Sequence, residues 1–125
     1  MIENEIAAII VNTSYKIHLT LGPGLFESVY EEILAHELKE KGLRVERQKT
    51  IPVLWKKLKM DVGFCADLIV EDKVIIEIKS VEKITLTHKK QLLTYLKITD
   101  LKLGLLINFN EGLIRNGITR IVNRL

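Results

Sequence analysis

"VIIEIKS", residues 74–80, carries the reading that decides the fold. Val74 and the isoleucines at 75, 76 and 78 favour a buried strand. Glu77 and Lys79 interrupt it two residues apart, hence on one face of that strand. Upstream, "VGFCADLIV" (62–70) is a second apolar run, separated from the first by "EDK" alone, so the two read as a β-hairpin. A short turn places Asp67, on the first strand, close to Glu77 on the second. Two half-buried carboxylates side by side repel unless a cation lies between them. Hard oxygen ligands suit Mg2+ or Mn2+, and the Lys79 ammonium on the same face can orient a water or offset charge on a phosphate. The spacing also fits a cross-strand salt bridge between Lys79 and either acid, and spacing alone favours that reading.

Outward from the hairpin, the grammar is helical on one side and mixed on the other. Ile6, Ile9, Ile10 and Ile17 recur at helical spacing and predict a helix over 3–19. "LGPGLFESVYEEILAHELKEKG" (21–42) predicts a second, with Pro23 in its first turn, Gly42 just past its end and an apolar stripe of Phe26, Val29, Ile33, Leu34 and Leu38. "LRVERQKTIPVLWKKLKM" (43–60) alternates loosely as strands, with Pro52 marking an edge or a bend. "THKKQLLTYLK" (87–97) predicts a third helix with Thr87 as N-cap. "LKLGLLINF" reads as a buried strand and "ITRIVNRL" as a short last one. The expected order is α-α-β-β-β-β-α-β-β. A hairpin followed by a crossover helix and a further strand implies a mixed sheet with helices packed on it.

Bulk properties bound the function. A chain of 125 residues with 47% hydrophobic content suits one domain, 1–125, with a core that needs no staples. The single cysteine, Cys65, excludes an internal disulfide and a cysteine-based zinc or iron–sulfur site within the chain. It also fits a reducing, cytoplasmic setting. "MIENEIAAII" lacks the basic start of a signal peptide, and no apolar run reaches the ~20 residues of a membrane span. A net charge of +3 permits a polyanionic partner without demanding one.

On the second helix, Glu27 and Tyr30 are three apart and share a face. Glu27 is either a third carboxylate for the hairpin site or a first-turn acid complementing the helix dipole. On the third helix, His88, Gln91 and Tyr95 share a face that either meets a phosphate backbone or is plain polar surface.

Gly24, Glu27 and Tyr30 match the signature of the GxxExxY proteins. "LGPGLFESVYEEIL", "ADLIVEDKVIIEIKSVE", "HKKQLLTYLK" and "GLLINF" follow in that family's order and spacing. The chain therefore resembles the GxxExxY family of the PD-(D/E)xK nuclease superfamily, in the branch that resembles RecB and lambda exonuclease. That resemblance implies an α/β domain with a mixed central β-sheet flanked by helices, a restriction-endonuclease-like core. It implies a metal-dependent deoxyribonuclease using Mg2+ or Mn2+, with DNA as partner and a second copy or protein partner left open. The alternative is an idle nuclease fold used for binding or assembly. By resemblance, Glu27, Asp67, Glu77 and the Ile78 carbonyl hold the metal, Lys79 is the catalytic lysine, and Gln91 and Tyr95 form the Q-x-x-x-Y element. His18 matches a family position without an implied role. Cys65 stands where a basic residue is expected, which weakens phosphate binding.

Overall fold

The computed structural model describes the backbone of residues 1–125 and every side chain except those of residues 61 and 62. Two helices come first, α1 (Glu3–Leu21) and α2 (Glu27–Glu40), followed by strands β1 (Val45–Trp55), β2 (Leu58–Val70) and β3 (Val74–Lys79). Helix α3 (Leu86–Thr99) then crosses to β4 (Leu103–Asn108), and a 3-10 turn (Ile114–Gly117) leads into β5 (Ile118–Val122). The strands lie in chain order, β1-β2-β3-β4-β5. Only β3 and β4 pair in parallel, as a helical crossover between neighbours requires. The fold is the expected mixed sheet flanked by helices, consistent with a restriction-endonuclease-like core.

Each face of the sheet has its own core. On one face, Ile6, Ile10 and Ile17 of α1 and Tyr30, Leu34 and Leu38 of α2 cover Val74, Ile76 and Ile78. On the other, Leu92 and Leu96 of α3 cover Phe64, Ala66, Ile69, Ile75 and Leu106. Strands β3 and β4 are thus covered on both sides, which is why they read as nearly unbroken apolar runs.

Several local expectations fail for identifiable reasons. Three strands precede α3, not four, because Lys56 and Lys57 close a two-residue turn between Trp55 and Leu58 and "LKM" runs unbroken into "VGFCADLIV". No Gly or Asn marks that turn, although Lys56 has φ +55°. Pro52 does sit on the edge strand, where the pairing register shifts. Pro23 lies before α2 rather than in its first turn, because Gly22 and Gly24, at φ +68° and +106°, hold an irregular loop there. Helix α2 is rotated from the expected stripe. Tyr30, Glu31, Leu34, Ala35 and Leu38 are buried, and Phe26 is 82% exposed. Its C-terminus is as expected: Gly42 has φ +84°, and the Gly42 and Leu43 amides donate back to Lys39 and Leu38, a Schellman closure. Thr85, not Thr87, caps α3. Its hydroxyl accepts from the His88 amide while the His88 ring accepts from the Thr85 amide. A His in the role usual for Glu or Gln gave no capping-box signal.

Gly104 lets α3 lie close on the sheet. A Cβ there would sit 2.8 Å from Leu92 Cγ and Cδ2. Gly104→Ala should therefore destabilise the protein by about 1–3 kcal/mol in a denaturant melt. Adding Leu92→Ala should recover part of the loss, and strictly additive effects would show that the two positions do not compete for space.

Candidate active site

The site begins with a fault in the sheet. Along β2, Phe64 and Ala66 face α3, yet Leu68 and Val70 face α1 and α2. Along β1, Val45 faces α1 and α2, yet Ile51 faces α3. A regular strand keeps residues of one parity on one face, so both strands invert between these points. The pairs Arg47↔Leu68 and Lys49↔Ala66 flank the inversion, and Gln48 and Asp67 fall between them. Gln48 has φ +48°, a conformation costly for a residue with a side chain.

The β2–β3 ladder fails at the same level, running only from Val70↔Val74 to Leu68↔Ile76. Beyond it, carboxylates replace backbone acceptors. Glu77 Oε2 accepts from the Asp67 amide at 2.9 Å, and Asp67 Oδ2 accepts from the Ile78 amide at 2.8 Å. Each acid caps the other strand. The N–H and C=O of a strand residue point the same way, so the Ile78 carbonyl also faces the Asp67 side.

Glu77 and Lys79 have the parity of Ile75 and so lie on the α3 side. Glu77 is only 6% exposed. Burial first, and then the Asp67 carboxylate, push its carboxyl up to about 7, against the pull of the Asp67 amide and of Lys79. Among the described residues Lys79 makes no ion pair, so the cross-strand salt bridge is not formed. Its strand end is fixed instead by the β4 partner Asn108 and by the Phe109 amide donating to the Lys79 carbonyl at 2.9 Å. Asn108, fully buried, extends this clamp by bonding both the N–H and C=O of Val81.

Helix α3 presents Tyr95 to the acids. Its ring stacks on Phe64 at 3.8 Å and 6°. Burial, Glu77 and then Asp67 raise its phenol above the ordinary value, and a hydrogen bond from Gln91 opposes them. Tyr95 therefore lies close enough to the hairpin acids to feel their charge, with Gln91 beside it, while His88 is engaged in the helix cap.

Helix α2 approaches from the other side. Glu27 Oε2 accepts from the Ser80 amide at 3.3 Å, one residue beyond Lys79. Tyr30 explains the spacing of the G-x-x-E-x-x-Y pattern. Its hydroxyl donates to the Gly22 carbonyl and accepts from the Leu25 amide, and its ring stacks on Phe109 at 4.3 Å. The tyrosine pins the glycine loop that delivers Glu27. No three His, Cys, Asp or Glu side chains among the described residues gather closely enough to hold a metal, so Glu27 stands apart from the Asp67–Glu77 pair.

Two contributors escaped the sequence reading. Glu31, buried on α2, accepts from Arg47 and from Gln48, and Gln48 also donates to Asp67 Oδ1 at 3.2 Å. The i, i+4 spacing of Glu27 and Glu31 was the available signal, though Glu31 reads as one of a run of surface acids. Cys65 is exposed and its thiol donates to Gln48 Oε1. His18 places its Nε2 2.7 Å from the Glu111 carbonyl, tying α1 to the loop after β4.

Glu77 makes metal-free stability depend on pH in a definite direction. Its folded pKa lies above the unfolded-chain value near 4.5, so the native state holds the extra proton between about 4.5 and 7. Stability should fall as pH rises through that window, by roughly 3 kcal/mol at ~1.4 kcal/mol per unit. Urea melts in EDTA should show the slope in wild type and its loss in Glu77→Gln. Equal slopes would place the titration elsewhere.

A family model of the PD-(D/E)XK nuclease superfamily matches residues 4–121. No curated relative and no solved structure matches the chain. No helix among the described residues is long and apolar enough to cross a membrane. The family match runs from the first turn of α1 to the last strand, and the chain belongs to the PD-(D/E)XK nuclease superfamily.

Proposed function

We propose that the protein is a cytoplasmic, divalent-metal-dependent deoxyribonuclease of the GxxExxY type, on the RecB/lambda-exonuclease-like branch of its superfamily. The observation that carries this reading is the reciprocal capping of Asp67 and Glu77 at the broken ladder, with Lys79 two residues along on the same face.

The donor set fits a small hard cation. Two adjacent carboxylates, one pushed up to about 7 by burial and by the charge of the other, lie beside a backbone carbonyl. Mg2+ or Mn2+ takes such oxygens and keeps several waters. In this reading Asp67, Glu77 and the Ile78 carbonyl hold the ion, and Glu27 contributes through water from the Ser80 side. When bound, the ion neutralises the acids, polarises the scissile phosphate and makes a water acidic.

The remaining chemistry belongs to the chain. Lys79, held by the β4 ladder, donates to the attacking water or to a non-bridging phosphate oxygen and offsets charge that grows as water adds to phosphorus. Gln91 and Tyr95 donate to the neighbouring phosphate and fix its register. Gln48 donates to Asp67 Oδ1 and to Glu31, and Arg47 in turn donates to Glu31.

With Mg2+ or Mn2+ the protein should cut DNA, tested on single- and double-stranded, linear and nicked substrates. Lys79→Ala should reduce cleavage at least 100-fold, the low end for a transition-state donor, and spare divalent-ion binding in calorimetry. Asp67→Asn keeps an acceptor for the Ile78 amide and so should fold, yet lose both metal binding and cleavage. Binding of metal without cleavage of any substrate would leave an idle nuclease fold that serves binding or assembly.

A further inference from the structure

The β1–β2 hairpin runs on well past the sheet that anchors it. Strand β2 pairs β3 only over Leu68–Val70, whereas its pairing with β1 continues to Trp55↔Leu58. From Gln48 to the turn is about 25 Å of strand at roughly 3.3 Å per residue. The near half is packed, with Ile51, Phe64 and Ala66 in the α3 core. The far end is not: Leu54, Trp55 and Leu58 are 63%, 65% and 59% exposed. Lys56, Lys57 and Lys59 around them are exposed as well.

Nothing in the fold explains this tip. Exposed large apolar side chains at the end of an edge hairpin invite aggregation. The turn keeps a lysine at φ +55°, where Gly or Asn would be relaxed. Residues 47–60 carry five Lys or Arg and no acid, the next acid being Asp61. Lys56 Nζ lies 5.8 Å from the centre of the Trp55 ring, so cation and aromatic face share one spot.

We propose that this arm grips the polynucleotide, with Trp55 stacking on an unpaired base and Lys56, Lys57 and Lys59 meeting adjacent phosphates. The inference takes its substrate class from the nuclease reading of the site. Charge complementarity supports it, and so does continuity: the strands that end in the basic tip carry Gln48 and Asp67 at their root. In a duplex the phosphates of one strand recur every ~3.4 Å of helix axis, so an arm of ~25 Å spans several of them between the acids and the tip. Stacking on a base tolerates any sequence.

Trp55 is the only tryptophan in the chain, which makes its fluorescence a direct probe. The full chain in EDTA is titrated with an oligonucleotide of about 16 residues, at the long end of single-strand site sizes. Trp55 emission should be quenched, with log affinity falling linearly with log salt. Lys56→Ala/Lys57→Ala/Lys59→Ala should flatten that slope by about 2, at ~0.7 per phosphate lost. Trp55→Ala should weaken binding of a labelled strand roughly tenfold. Both variants should melt as wild type, since the altered side chains lie outside both cores.

Emission unmoved by single- or double-stranded DNA or RNA would overturn the proposal. So would a triple lysine variant that binds with wild-type affinity and slope, or a response to anionic phospholipid vesicles in place of DNA. The assay contains no divalent ion, so binding here together with no cleavage of any substrate in Mg2+ or Mn2+ would uphold the arm and sink catalysis. Unimpaired cleavage by the triple variant would sink the arm and leave catalysis standing.

Discussion

The constraint on which the structure turns is the loss of backbone pairing at one level of the sheet. Between Arg47↔Leu68 and Lys49↔Ala66 two strands invert their faces, and β3 parts from β2 beyond Leu68↔Ile76. Amides released there must find acceptors, because a buried unpaired N–H costs about 1–3 kcal/mol. The Asp67 and Glu77 side chains supply them. The carboxylates are thus fixed by the same bonds that mend the sheet, and neither can turn away without orphaning an amide. Acids fixed in this way are oriented before any ligand arrives.

Around that fault the fold is unusually well tied. Asn108 closes the loop after β3, and Gly104 lets α3 settle onto the sheet close enough for Tyr95 to stack on Phe64. Tyr30 holds the glycine loop before α2, and Ser80 meets both Glu27 and the Leu25 carbonyl. Three elements therefore converge on the end of β3 from both faces of the sheet. The cores that hold them are separate, so the site sits where two hydrophobic layers meet at an interruption rather than inside a cavity.

Much of this was legible in the sequence. The hairpin, the covered strand β4, α1 and the close of α2 at Gly42 follow from apolar runs, periodicity and turn chemistry. What escaped were features set by tertiary contacts. The inversion at Gln48 and Asp67 has no local signature, since Gln48, which takes the left-handed conformation, is not a usual left-handed residue. The rotation of α2 follows from Tyr30 seeking the loop before it, so Phe26, apolar yet 82% exposed, misled the stripe. The Lys56–Lys57 turn lacks turn residues, and a histidine stands in the α3 capping box. The Asp67, Glu77 and Lys79 pattern could be read as a constellation, but whether the lysine paired with an acid could not, because that depends on how the strands part.

The electrostatics of the site follow from how its charges are divided. Four acids approach the end of β3: Glu27, Glu31, Asp67 and Glu77. Arg47 is bound to Glu31 at 3.0 Å, so the strand's nearest fixed cation is already committed. Gln48, placed between Glu31 and Asp67, passes hydrogen bonds to both without adding charge. Asp67 and Glu77 are left with Lys79 alone, whose pull on Glu77 is smaller than the combined push of burial and Asp67. A second lysine at position 65, where Cys65 stands, would change that balance. The cysteine instead spends its one donor on Gln48, and the pair keeps a deficit of positive charge that a divalent cation would fill.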